Sequence, residues 1–252
     1  MKRSAIVETD HLTKHYGTTV AVDELSFTIN EGEIFGFLGP NGSGKTTTLL
    51  MLLGLTEPSR GSASVAGLNP TRDAIKVKRM VGYIPENIGF YDDMNGKENL
   101  QFIARLNNIP DPVSTSKIEE ALERVGLKDE AEKKVAAFSR GMRQRLAIAE
   151  LLIKEPRLAF LDEPTLGLDP EGTTLITDYI QSLSKDNHMT ILLSSHDLTQ
   201  VQRIADRIGI MIHGKMIAEG PLEKLAHEKL GVEDREISLD EVYMKYFQEV
   251  SE

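Results

Sequence analysis

The stretch GPNGSGKT, residues 39–46, sets the tightest limit on what this chain can fold into. It follows a continuous apolar run, IFGFL at 34–38, and leads into TTLLMLLGL at 47–55. The first run reads as a buried strand. The second reads as a helix, with Gly54 near its end and Pro58 just beyond. Glycines 39, 42 and 44 let the backbone turn sharply and bring its N–H groups close to an anion. The helix that starts there adds partial positive charge. A G-x-x-x-x-G-K-[ST] pattern between a strand and a helix is a cradle for phosphates. In it Lys45 reaches the β- and γ-phosphates, and Thr46 offers its hydroxyl to Mg²⁺. The candidate nucleotide-phosphate contacts are therefore Gly39, Pro40, Asn41, Gly42, Ser43, Gly44, Lys45, Thr46 and Thr47.

The rest of the chain supports the architecture this motif demands. The runs LAFL (158–161) and ILLS (191–194) are continuously apolar, as in a parallel sheet covered on both faces. Further strands are expected at 62–66, 80–84, 157–162, 190–195 and 207–220, the last with a hairpin turn at His213-Gly214. Residues 5–37 hold short β-like runs broken at Tyr16-Gly17 and Asn30-Glu31-Gly32. Helices are expected from the capping box Asn95-x-x-Glu98 onward, over 116–126, from Arg140 to Lys154, and over 172–185 and 197–205. The fold class is α/β, with a mostly parallel sheet, an N-terminal antiparallel β part and a helical insertion over about 87–156. Residues 222–252 form a helical extension beyond a main unit of 1–221. In it Leu239, Val242, Tyr243, Tyr246 and Phe247 make one apolar face, for the protein's own core or for a partner.

Composition narrows the function classes. Formal net charge is -10, against the basic surplus of a nucleic-acid binder, so no nucleic-acid partner is expected. With no cysteine, disulfides and thiolate metal sites are excluded. The opening MKRSAIVETD reaches Glu8 before an apolar segment forms, and no apolar stretch approaches the ~20 residues of a membrane span. The expected location is cytoplasmic, with any membrane role exercised through a partner.

Two further stretches carry chemistry. LAFLDEP, residues 158–164, is an apolar strand that ends in adjacent acids, which are costly there unless solvated or used. Beside a phosphate cradle, Asp162 can hold Mg²⁺ and Glu163 can polarise an attacking water. This strand is expected to neighbour the one that leads into the cradle. His196 follows ILLSS at a strand's C-terminal end, where ligands of open α/β sheets collect. A capping or surface role fits it equally well from local sequence alone.

Taken in order, Tyr16, GPNGSGKT, Glu86, FSRGM (138–142), LAFLDE, LGLD (166–169) and His196 resemble the ATP-binding cassette (ABC) ATPase family over about residues 4–221. The resemblance implies a P-loop NTPase core of RecA-like type and an ATPase that uses ATP and Mg²⁺. It implies an adenine-stacking role for Tyr16, by position only, since a core or surface tyrosine would look the same. It assigns Glu163, His196 and Lys45 to catalysis, Thr46, Asp162 and Glu86 to the metal, and Asp169 to the D-loop. In this family two cassettes associate head to tail, and each signature motif faces the other subunit's ATP. Ser139, Arg140, Gly141 and Met142 would then act in trans. Ser139 also suits a plain helix N-cap.

The chain departs from the family at three positions. Arg140 and Met142 replace the second glycine-like and final glutamine-like positions of the signature, while Ser139 and Gly141 are kept. Glu86 stands where the Q-loop glutamine would be, which adds charge and removes an amide donor. The resemblance implies a prokaryotic exporter-type subunit that forms a dimer, expected to be a homodimer. It would drive a separate transmembrane permease from the cytoplasmic face of the cell membrane, with contacts near Phe90 and Tyr91. A soluble single-cassette ATPase in cofactor assembly or another non-transport role is the other reading.

Overall fold

The computed structural model describes residues 4–231 and 238–251. A six-stranded sheet runs in the order β10 (Lys215–Gly220), β9 (Arg207–Ile212), β4 (Ile34–Leu38), β8 (Thr190–Ser195), β7 (Leu158–Asp162), β6 (Val81–Ile84). All neighbours are parallel except the β9–β10 hairpin. The three central strands, β4, β8 and β7, are buried along their whole length. Continuous Leu/Ile/Phe runs suit that position, because both faces of a parallel sheet are covered.

β1 (Ala5–Tyr16), β2 (Thr19–Leu25), β3 (Thr28–Asn30) and β5 (Arg60–Val65) form an antiparallel sheet in which β1 pairs with the other three. One buried cluster, with Phe27, Phe35, Phe37, Leu49 and Phe160, joins this sheet to one face of the large sheet through α1 (Lys45–Leu52). The other face carries a second cluster. It extends without a break into the helices inserted between β6 and β7: α3 (Gly96–Leu106), α4 (Asp111–Arg124) and α5 (Arg140–Lys154). The capping box forms as expected, with Asn95 Oδ1 accepting from Glu98 N at 2.8 Å and Glu98 Oε2 accepting from Asn95 N at 2.8 Å.

The structure corrects several sequence expectations. β8 lies between β4 and β7, so the strand ending in Asp162 does not neighbour the strand that leads into the phosphate cradle. Register makes this harmless. Leu38 sits opposite Ser195, and Asp162 opposite Ser194, so the three strands end level on one edge. α4 begins at Asp111 rather than 116, because Pro112 is tolerated in a first turn, where no N–H partner is needed. α2 (Ala74–Met80) was not expected; only Val77 of it is buried, so it shows little periodicity.

α6 (Pro170–Asn187) and α7 (Leu198–Ile204) flank β8 in the chain, and α8 (Leu222–Leu230) follows β10. α9 (Leu239–Ser251) packs on α7 and α8. Leu239, Val242 and Tyr246 are buried in the main core, with Tyr243 and Phe247 partly buried against it. The apolar face of the extension is therefore turned onto the protein's own core. No helix among the described residues is long and apolar enough to cross a membrane.

Candidate nucleotide site

Residues 39–44 turn from β4 into α1 and wrap the start of the helix. Gly44, just ahead of α1, has φ of 105°, and a Cβ there would lie 2.4 Å from the Ala21 carbonyl oxygen. Gly42 has φ of 80°. Other residues rarely adopt such angles, which is why the turn is glycine-rich. The loop, with Tyr16, residues 19–21, Glu86 and Glu163, lines an open pocket of about 390 Å³. Tyr16 is half exposed at its mouth, with Lys14 Nζ 5.0 Å from the ring centroid.

Lys45 and Glu163 face each other at the floor. Lys45 Nζ lies 3.6 Å from Glu163 Oε1 and donates to the Gly39 carbonyl at 2.7 Å; the two side chains are 6% and 8% exposed. Burial pushes the Lys45 ammonium below its ordinary pKa, and the nearby charges of Glu163, Asp162 and Glu86 oppose the shift. Glu163 adopts φ of 49°, an uncommon conformation for a residue with a Cβ, and costs of order 1–2 kcal/mol are usual there. Its N–H donates to the Ser194 carbonyl at 3.1 Å. His196 Nδ1 is 2.8 Å from Glu163 Oε2; beside a carboxylate that nitrogen carries the proton and donates. Asp162 accepts from Ser194 Oγ at 2.5 Å. Tyr83, beside Asp162 and Glu86, has its pKa raised to about 12 by burial and by those two charges.

Two buried polar atoms here lack a hydrogen-bond partner: Ser43 Oγ and Glu163 Oε1. Orphaned polar atoms beside a buried cation fit a ligand that carries both donors and acceptors, as a hydrated metal–phosphate group does. Thr46 is exposed at the same pocket. Among the described residues no three acidic or histidine side chains form a ready-made metal cage.

The residues expected to form the signature lie elsewhere. Ser139 caps α5, its Oγ accepting from Met142 N at 3.2 Å. Ser139, Gly141 and Met142 share a shallow hollow with Asp169, which caps α6 by accepting from Gly172 N at 2.7 Å. None of these residues lines the Lys45 pocket. The Arg140 guanidinium lies over Gly167, where a Cβ would sit 2.6 Å from it. Glu86 bridges two regions: it lines the Lys45 pocket and also a cleft with Arg140 and Gln144. Ser194, Tyr83 and residues 19–21 carry no local signal in the sequence, because their places in the site come from tertiary packing.

A family described as "ABC transporter" matches residues 22–166 of the chain. The bacitracin transport ATP-binding protein BcrA of Bacillus licheniformis is 43% identical over 222 residues, covering 88% of this chain and 72% of that protein. The ABC transporter ATP-binding protein NatA of Bacillus subtilis (strain 168) is 42% identical, covering 81% and 83% respectively. A solved structure described as an ATP binding subunit of an ABC transporter superposes with a TM-score of 0.86 at 29% identity, covering 96% of this chain and 99% of that one.

Proposed function

The chain belongs to the ABC transporter family as an ATP-binding, ATP-hydrolysing subunit, and from that premise we propose how its own residues act. Gly39–Thr47 and Lys45 bind the phosphates of ATP, and Tyr16 stacks on the adenine. Glu163 accepts the proton of the attacking water. His196 holds Glu163 through Nδ1 and, with Lys45, faces the γ-phosphate. Thr46, Asp162 and Glu86 would hold Mg²⁺, which when bound neutralises phosphate charge. Two chains close head to tail around two ATP, and Ser139 and Gly141 at the N-terminus of α5 complete the partner's site. Closure and reopening drive a separate transmembrane permease in the export direction. The permease touches the surface near Phe90 and Tyr91, where Tyr91 is exposed and packs edge-on against Phe102 at 5.0 Å. The protein sits at the cytoplasmic face of the membrane.

One observation carries this reading. Lys45 and Glu163 meet in one pocket and His196 contacts Glu163, while Ser139 and Gly141 lie on a separate surface, which a second chain would bring to a nucleotide. The transport role is favoured over a non-transport one because relatives covering more than four-fifths of the chain are named as transport subunits.

The test is complementation. Ser139→Arg chains and Lys45→Ala chains are each expected to be inactive as homodimers. A heterodimer of the two keeps one composite site, so hydrolysis should reappear on mixing. Heterodimers that form and remain inactive would contradict the trans arrangement.

A further inference from the structure

Gln200, on the first turn of α7, is 4% exposed, and its side chain joins three other segments. Its Oε1 accepts from Thr165 Oγ1 at 3.0 Å and from Ser195 Oγ at 3.3 Å. Its Nε2 donates to Thr177 Oγ1 at 3.1 Å, and that hydroxyl passes its own proton to the Thr173 carbonyl at 2.7 Å. Thr165, Thr177 and Ser195 are all buried. The directions are fixed: two hydroxyls give to the amide oxygen, and the amide nitrogen gives to a third. A buried network with every member satisfied is rigid, and breaking one member leaves the others unpaired.

The segments joined are those on which catalysis depends. Thr165 lies two residues after Glu163 and starts the turn to Asp169, with the Leu168 N–H donating to the Thr165 carbonyl at 3.1 Å. Thr177 stands on α6, whose cap is Asp169. Ser195 immediately precedes His196, and its Oγ also accepts from Asp197 N at 2.9 Å. We propose that Gln200 is a positioning residue for ATP hydrolysis. It locks the loop from Thr165 to Asp169 to the strand end that carries His196, so that the two sides of the site move as one piece. Gln200 touches neither nucleotide nor reacting atoms. The inference rests on the catalytic reading of Glu163 and His196 given above.

The test compares kcat with the affinity for a fluorescent ATP analogue. Gln200→Met keeps length and burial but removes all three hydrogen bonds. It should lower kcat by about 10- to 100-fold, the scale of a small misplacement of reacting groups. Analogue affinity should stay within about threefold, because the phosphate loop is untouched. Gln200→Glu should recover most of kcat, since a carboxylate still accepts from Thr165 and Ser195 and takes a redirected Thr177 hydroxyl. Thr165→Val removes one hydroxyl at nearly constant volume. It should lower kcat in the same selective way by about 3- to 10-fold, and it serves if Gln200→Met does not fold. A parent kcat in Gln200→Met overturns the inference. So does a fall in kcat that matches the loss of folded protein measured by circular dichroism, or no recovery in a folded Gln200→Glu. Glu163→Gln is assayed alongside. If it is inactive while Gln200→Met is unimpaired, the positioning inference alone fails. If it hydrolyses at the parent rate, the catalytic reading fails and the inference with it.

Discussion

Removing Lys45 should destabilise the nucleotide-free protein, and removing Glu163 as well should reverse part of the damage. The two charges sit 3.6 Å apart, with neither side chain more than 8% exposed. At an effective dielectric of about 20, their attraction is about 4–5 kcal/mol. Burial of the ammonium outweighs that attraction, as its lowered pKa shows, so what stabilises the fold is not the pair itself but the avoidance of a stranded charge. Lys45→Met leaves the Glu163 carboxylate without its cation and deprives the Gly39 carbonyl of its donor. The expected cost is about 3–5 kcal/mol. In a Glu163→Gln background the same change should cost about 2 kcal/mol less, because no carboxylate is then stranded. Urea denaturation of the four proteins without ATP measures the cycle, and a coupling of that size is a midpoint difference of about 1 M. Costs that add to within about 0.5 kcal/mol would refute the argument, and would mean that Glu163 is held by His196 alone.

Two smaller predictions concern single carboxylates. Glu86→Gln should leave ATPase activity in place but shift its Mg²⁺ dependence, since both side chains offer an oxygen and only the charge is lost; an unaltered Mg²⁺ titration would place Glu86 away from the ion. Burial raises the Glu150 pKa above its ordinary 4.5, with Lys154 opposing. The ionised form therefore penalises folding above the folded-state pKa, and the penalty fades as pH falls to 4.5. Glu150→Gln should then raise the thermal midpoint at pH 7.5 and do so less at pH 4.5; an equal gain at both would contradict the burial argument.

What was legible in the sequence was local. The strand, glycine turn and helix around residues 39–46, the caps at Asn95 and Ser139, and the acids at the end of β7 all depend on neighbours within a few positions. Side-chain pairing across the sheet was not. Nothing near Glu163 in sequence says that it faces Lys45 on one side and His196 on the other, or that its φ is positive. The insertion of β8 between β4 and β7 was missed for the same reason, because continuous apolar runs report burial and not strand order. Gln200 sits among polar residues on a short helix, and only its buried contacts to Thr165, Thr177 and Ser195 distinguish it. Two of the three departures from the family pattern, Glu86 and Arg140, lie 54 positions apart in the chain yet line one cleft.

We propose that two chains close around ATP and that Glu163 drives hydrolysis there. The direct measurement is the molar mass of Glu163→Gln with ATP and Mg²⁺, by light scattering on a size-exclusion column. Asp162, Lys45 and Thr46 remain to bind nucleotide, and loss of the carboxylate relieves repulsion against the γ-phosphate. The expected result is a doubled mass with two ATP per dimer, and hydrolysis slowed by roughly 10²–10⁴-fold. A Glu163→Gln protein that binds ATP, stays a monomer and hydrolyses at the parent rate would contradict it.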